Sequence, residues 1–463
     1  MTLSAEQILT LAPDSASAKA GVQQSSLSKW SAFGANEQAL WGLCQGSGKS
    51  PYVVMISRAE PAFKCNCPSR KFPCKHGLGL YLLYAQNQSI FTDNNAPEWM
   101  NDWLTSRGQR AEKQAEKKLA VLATLSPEEI EAKEKGQQKR QNKRLSNVEN
   151  GIKTLESWLE DLAREGLADL KSKLTADWDA MAANMVDAQA TGLATRVRTA
   201  GTHIHSTKEP QWELAVAREL SMLALLIQGY RRLTQLPPEL QSDIKTAIGW
   251  TTAQDDVIAR TGIDDTWQIC GNYTQQQDRV SSRACYLRGM NSHRWAMILQ
   301  FSAGGQSLPP PLIVGMQHRG TMHFYPSAAP LRAVFGADMQ LLSHHDQDAN
   351  VISSPVIALE ASIDVQLERY AQALAANPFI TDYPIQLHTA IPQYKPNQTD
   401  AWWVNTNGTA LPLHPQFQHT WRLHSLAGGH PITLFGLWNG STLLPLSVLV
   451  DNRLYSLDVE FNT

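Results

Sequence analysis

The sequence predicts a multidomain α+β protein, with a small metal-stapled ββα-like unit, a helical middle region and a mainly-β C-terminal half. Three observations carry this expectation. Four metal-ligating side chains fall within residues 65–76. From about residue 148 apolar side chains recur at intervals of three and four. From about residue 265 the period moves towards two, with β-branched and aromatic residues set between Gly and Pro. The expected division is residues 1–105 for the metal-bearing unit, 106–147 for a charged helical linker, 148–250 for an all-α domain and 251–463 for a β-rich α+β domain.

The first forty residues carry short helical patterns. Ser4 opens a capping pattern, and Asp14 to Gly21 reads as a helix with a polar start and a glycine stop. Trp30, Phe33 and Trp41 are expected in the core of this unit. The run Gly46-Ser47-Gly48-Lys49-Ser50 ends like a phosphate-binding loop, but the position needing the first glycine is Leu43. A phosphate loop must also run into a helix, whereas Pro51-Tyr52-Val53-Val54 reads as a strand. A hairpin turn is therefore expected there.

Next comes Cys65-Asn66-Cys67, then six residues, then Cys74-Lys75-His76. Side chains at i and i+2 of an extended segment share a face, so Cys65 and Cys67 can reach one ion. Pro68 and Pro73 bracket the intervening loop and lower the entropy lost on closing it. Cys74 and His76 then approach from the start of a helix read over Leu78 to Ala85, where the helix N-terminus favours thiolate. Three thiolates and one imidazole complete a tetrahedral shell, leaving no position for water, so one structural Zn2+ is expected. Lys64, Arg70, Lys71 and Lys75 form a basic rim around it.

C-x-C-xn-C-x-H between a β-hairpin and a helix resembles the SWIM zinc finger. The neighbouring words Trp41-Gly42, Pro51-Tyr52 and Cys67 to His76 resemble a bacterial subgroup of SWIM proteins. The resemblance spans about residues 1–105 and implies binding to DNA or protein, with no established chemistry. It also implies an association with MoxR-type AAA ATPases and von Willebrand A-domain proteins.

Pro97 to Leu104 reads as a short amphipathic helix closing the unit. Residues 107–147 are rich in Lys, Arg, Glu, Gln and Ala and read as a flexible helical linker or a nucleic-acid arm, their mixed sign favouring a solvated helix. Ile152, Leu155, Leu159 and Leu162, then Leu167, Leu170, Leu174, Trp178, Met181 and Met185, predict two core-facing helices broken near Gly166. Trp212 to Leu233 reads as a helix buried on most sides through Met222 to Ile227, ended by Pro237-Pro238. Residues 266–270, 294–301 and 311–315 read as strands, 330–335 as a short helix and Ile363 to Ala376 as a longer one. Further strands are expected near Trp402 and Trp421, over Ile432 to Trp438 and over Leu443 to Val450.

Composition narrows the functions. A net charge of −2 over 463 residues gives no global footprint for nucleic acid, so any such binding needs a local patch. No apolar run reaches membrane-spanning length. The N-terminus lacks the features of a signal peptide. Six cysteines, half of them at metal spacing, suit a reducing cytoplasm. Cys44, Cys270 and Cys285 are expected to be buried free thiols. His203-x-His205 and His344-His345-Asp346 are weaker metal candidates, and Asp255, Asp256, Asp264 and Asp265 read as caps and turns. No nucleophile elbow, zincin helix or dinucleotide fingerprint is present. The expected function is therefore a non-enzymatic protein-interaction module. DNA or RNA binding through the basic rim is the alternative, and an enzyme in the C-terminal half is the weakest reading.

Overall fold

The computed structural model describes residues 3, 5–46, 50–58, 62–69, 71–106, 127–166, 170–171, 174–205, 212–277, 280–303, 308–342, 362–395, 401–406, 408–451, 453–457 and 459–462. The N-terminal unit begins with α1 (Ala5–Thr10) and α2 (Ser15–Gln24). Asp14 caps α2, its Oδ1 accepting from Ser17 N at 2.6 Å. The helix does not stop at Gly21 as the sequence suggested. A Cβ at Gly21 would sit 2.8 Å from Leu78 Cβ, and one at Gly79 would sit 2.5 Å from Gln24 Cβ. These glycines let α2 lie close against α3 (Lys75–Gln86) instead of ending it.

Four strands follow α2 in an antiparallel meander: β1 (Trp30–Ala35), β2 (Ala39–Cys44), β3 (Tyr52–Ser57) and β4 (Ala62–Cys65). Cys44 pairs with Tyr52 and Leu43 with Val53, so the lysine-containing stretch between them joins two paired strands. Alternation along β2 gives the sheet two buried faces. Leu40 joins Val54, Ile56, Leu80 and Tyr81 under the helices. Ala39 and Trp41 meet Met55 and Met100, the latter from α4 (98–106), which covers the other face. Trp30 and Trp41 are buried and Phe33 packs beside them, as expected.

The middle region is helical: α5 (Pro127–Glu165), α6 (Thr175–Asp187), α7 (Thr191–His205), α8 (Trp212–Arg231), α9 (Pro238–Ile248) and the short α10 (Gln254–Ile258). The expected linker is not separate along its whole length, because α5 is one helix from Pro127 into the bundle; residues 107–126 lie outside the described residues. Helix α5 ends at Gly166, whose φ of +86° suits the left-handed stop that glycine tolerates. Val148, Ile152, Leu155, Leu162, Trp178, Met181, Met185, Leu223, Leu226 and Ile227 share one core. Two expectations need correction. Leu174 is 69% exposed, at the N-cap of α6 rather than in the stripe. Helix α8 buries only one face, since Leu214 and Leu225 are exposed while Leu223 and Leu226 are not. Pro238 also starts α9 rather than merely ending α8, as proline's fixed φ permits in a first turn.

The C-terminal half contains two sheets. The first joins β5 (Ile263–Gln277), β6 (Val280–Gly289), β7 (Trp295–Ala303), β8 (Gln317–Phe324), β9 (Ala333–Phe335) and β10 (Gln340–Leu341). The second has the order β13-β12-β11-β14-β15-β16, built from β11 (Tyr383–Lys395), β12 (Ala401–Thr406), β13 (Thr409–Pro412), β14 (Ile432–Trp438), β15 (Leu443–Val450) and β16 (Arg453–Ser456). Strand β17 (Val459–Asn462) returns to pair with β5 in parallel, Val459 opposite Tyr273. Helix α11 (Ile363–Ala376) lies where its sequence pattern placed it.

Here three readings fail. Residues 311–315 are not a strand; Gly315 N donates to Ile269 O at 2.8 Å beside the bulge in β5, and Asn272 Nδ2 holds Leu312 O. The expected helix at 330–335 is β9, drawn into the sheet by β8 through Met322 opposite Phe335. Trp421 lies in α12 (Thr420–Ala427) rather than a strand. In each case a pairing partner, or its absence, overrides local propensity.

The first C-terminal sheet is buried on both faces. Trp267, Ile269, Leu287 and Ala296 share a cluster with Leu3, Ile8, Leu40 and Leu78 of the N-terminal unit. Their alternates Ala284 and Tyr286 share another with Leu434, Phe435 and Leu446 of the second sheet. Gly271 marks the close approach there, since a Cβ would meet Leu446 and Phe435 at 2.7 Å. The bundle is tied on by Ala328 N donating to Asp243 Oδ2 at 2.8 Å and by Phe379 in the bundle core.

Candidate metal centre

Each of the four donors has a separate reason for its position. Cys65 ends β4, where Val54 pairs opposite it. Asn66, between the two cysteines, is fastened to β3: its side-chain oxygen accepts from Val53 N at 2.9 Å. That anchors the Cys-x-Cys segment against the sheet while the chain leaves it. Ser69 Oγ donates to Lys71 O at 3.1 Å and turns the chain back. Cys74 is the N-cap of α3, and Leu78 N donating to Cys74 O at 3.1 Å begins the helix. His76 follows in the first turn, buried, with the Tyr52 ring 4.8 Å from its own.

The ligand atoms of Cys65, Cys67, Cys74 and His76 all lie within 4.8 Å of one another. Bonds of about 2.0–2.3 Å to a tetrahedral ion set donors roughly 3.5–3.8 Å apart. Cys65 Sγ and His76 Nδ1 are 3.9 Å apart, close to that separation. The four residues could therefore hold one metal ion, and among the described residues no other Cys, His, Asp or Glu group is so assembled. Without an ion the thiols share their protons unequally. The Cys65 thiol, hydrogen-bonded to the Cys74 sulfur, pulls Cys74 down to about 4 against its burial, with His76 adding to the effect. The same hydrogen bond, then burial, pushes Cys65 up.

The basic rim is assembled only in part. Lys71 and Lys75 stand together beside the donors and line one cavity with His76. Lys64 alternates with Cys65 along β4, so its side chain leaves from the opposite face of the strand. Arg70 lies outside the described residues. A third cation, Lys29, joins the cavity from just before β1, while Ser17 and Gln24 enter from α2. Nothing in residues 65–76 marks these three, because folding of α2 over the loop brings them there. Lys71 Nζ also pairs with Asp14 Oδ2 at 2.5 Å, and this holds the Asp14 carboxyl below the usual carboxylate range.

The other candidates resolve differently. Cys44, Cys270 and Cys285 are buried free thiols, raised by burial to about 11, 12 and 11. His203 and His205 lie in α7 (Thr191–His205), and the placement of the His205 side chain lies outside what is described. His344, His345 and Asp346 lie outside the described residues. Asp255 and Asp256 sit in the first turn of α10, and Asp264 pairs with Arg319 at 2.9 Å. Asp265 holds the β6–β7 turn, accepting from Thr266 N, Asn291 N and Ser292 N. No helix of the described residues is long and apolar enough to cross a membrane.

Comparison with known families finds one match. Residues 143–248 match the family model of a SWIM-associated four-helix bundle domain, a range that runs from within α5 to the end of α9. No curated protein and no solved structure matches the chain. Residues 143–248 are thus similar to a helical bundle found associated with SWIM domains, and in this chain they follow the Cys-x-Cys-x6-Cys-x-His cluster.

Proposed function

We propose that the centre holds one structural Zn2+ and that the chain is a protein-interaction module, an adaptor rather than an enzyme. The observation that carries this reading is the closed donor set: three sulfurs and one imidazole nitrogen converge from the protein itself. Soft thiolate ligands in a tetrahedral array suit zinc, and a filled shell leaves no place for a reacting water or substrate. The ion's work is then mechanical. It fixes the loop from Cys65 to Cys74 against α3 and so positions the lysines beside it.

The resemblance in residues 1–105 points to a MoxR-type AAA ATPase or a von Willebrand A-domain protein as partner, in the cytoplasm. Affinity capture with the zinc-loaded full chain from native cells tests this, recovery of either class being the expected result. Capture of neither would remove the assignment. Nucleic-acid binding keeps one observation in its favour, the exposed Lys71 and Lys75 beside the loop. It requires affinity that falls with salt at a log–log slope of roughly −0.9 per duplex phosphate contacted.

A further inference from the structure

The cavity beside the metal centre has a volume of about 670 Å³. That lies in the usual range for small-ligand clefts. Three ammonium groups, Lys29, Lys71 and Lys75, line it together with the polar side chains of Ser17, Gln24 and Gln45. Two of the lysines are held in place. Lys29 Nζ donates to Gln23 O at 2.7 Å and Lys71 Nζ to Asp14 Oδ2 at 2.5 Å. An ammonium carries three donors, so each keeps others to offer. Lys75 has no hydrogen bond or ion pair among the described residues. One divalent ion with three thiolates carries −1, and Asp14 carries another −1. The three lysines outweigh both by one positive charge.

We propose that this cavity binds a carboxylate-bearing peptide segment of a partner protein, an inference that rests on the protein-module reading above. The excess charge matches one anionic side chain or chain terminus. Ser17, Gln24 and Gln45 supply donors and acceptors of the kind that satisfy a peptide backbone. A nucleic-acid strand fits less well. Its backbone needs a track of cations, whereas these three converge on one cavity and the chain's net charge is −2. The Tyr52 ring in the lining is already paired with the His76 ring, 4.8 Å away.

The test uses the zinc-loaded full chain and fluorescence polarisation of a labelled Asp-Glu-Asp-Glu tetrapeptide. The expected result is saturable binding that weakens at least about tenfold, equivalent to about 1.4 kcal/mol, in Lys29→Gln and in Lys75→Gln. Zinc content should match that of the parent chain in both. Lys75→Arg keeps the charge and should keep the binding. Unchanged affinity in both Gln variants, or equal binding of a neutral Asn-Gln-Asn-Gln peptide, overturns the proposal. Tighter binding of a labelled oligothymidylate of equal charge also overturns it, in favour of nucleic acid. Capture of the same partner by Lys29→Gln/Lys75→Gln and parent chains removes the cavity while leaving the module reading intact. Failure of the parent chain to capture any partner removes the module reading instead.

Discussion

The N-terminal unit, with its candidate metal centre, and the C-terminal half solve the same problem by opposite means. Each must hold a sheet whose strands alone would be marginal. The N-terminal unit closes its loop with four donors drawn from twelve consecutive positions, a constraint written into local spacing. The C-terminal half closes through distant pairings: β17 beside β5, Leu446 against Gly271, and Asp265 across to Asn291 and Ser292. A local cross-link makes a region legible and dependent on one ion. A distributed one leaves its pairings, though not every element, illegible and spreads the constraint over many groups. Yet the two are not independent, because Trp267 and Leu287 share a core with Leu40 and Leu78.

The sharpest way to break this comparison is to remove the metal. In Cys74→Ala, or on chelation, the N-terminal unit should lose its fold, because structural zinc contributes about 10–16 kcal/mol of apparent binding energy. Hydrogen exchange should show β1–β4 and α3 losing protection while β14 and β15 keep theirs. Protection of β3 surviving complete zinc removal would show that the shared core, not the ion, holds the unit.

A smaller effect is expected at the shared core. Trp267 is fully buried, and its Nε1 donates to Gly320 O at 3.1 Å. Trp267→Ala should cost about 3–5 kcal/mol in chemical denaturation and should loosen both regions together. Destabilisation confined to the C-terminal half would separate them.

The smallest effect concerns one pin of the distributed kind. Burial opposes the charge on Asp265, but hydrogen bonds from Ser292, Asn291 and Thr266 prevail and lower its carboxyl below the usual range. A group depressed in the folded state contributes stability above its unfolded value and loses it as pH falls through the folded value. Asp265→Asn should therefore cost about 1–3 kcal/mol at neutral pH, as donors lose a charged acceptor. It should also flatten the acid limb of urea-midpoint against pH. An unchanged acid limb would remove Asp265 from that role.

Legibility follows the range of the interaction. The ligand set, the hairpin, the helices at Trp212 and Ile363, and the strands at Ile432 and Leu443 all repeat a local pattern and were all readable from it. The misread segments depend on partners far away. Residues 333–335 become β9 by pairing with the edge that β8 presents, and Gly21 stands within α2 where Leu78 leaves no room for a side chain. Lys29 escaped notice for the same reason: it is 36 positions from Cys65, and only α2 and β1 bring it to the cavity.

By itself the sequence determined which four candidate donors lie at metal spacing and the class of several long elements, among them the helices at Trp212 and Ile363 and the strands at Ile432 and Leu443, because spacing and periodicity are properties of neighbouring residues. Tertiary structure decided that Lys64 turns away while Lys29 turns in, and that the first C-terminal sheet is buried on both faces. It also decided that the N-terminal unit shares its core with that sheet. Those outcomes depend on which surfaces meet, and apolar burial, being non-directional, leaves no mark of its partner in the local chain.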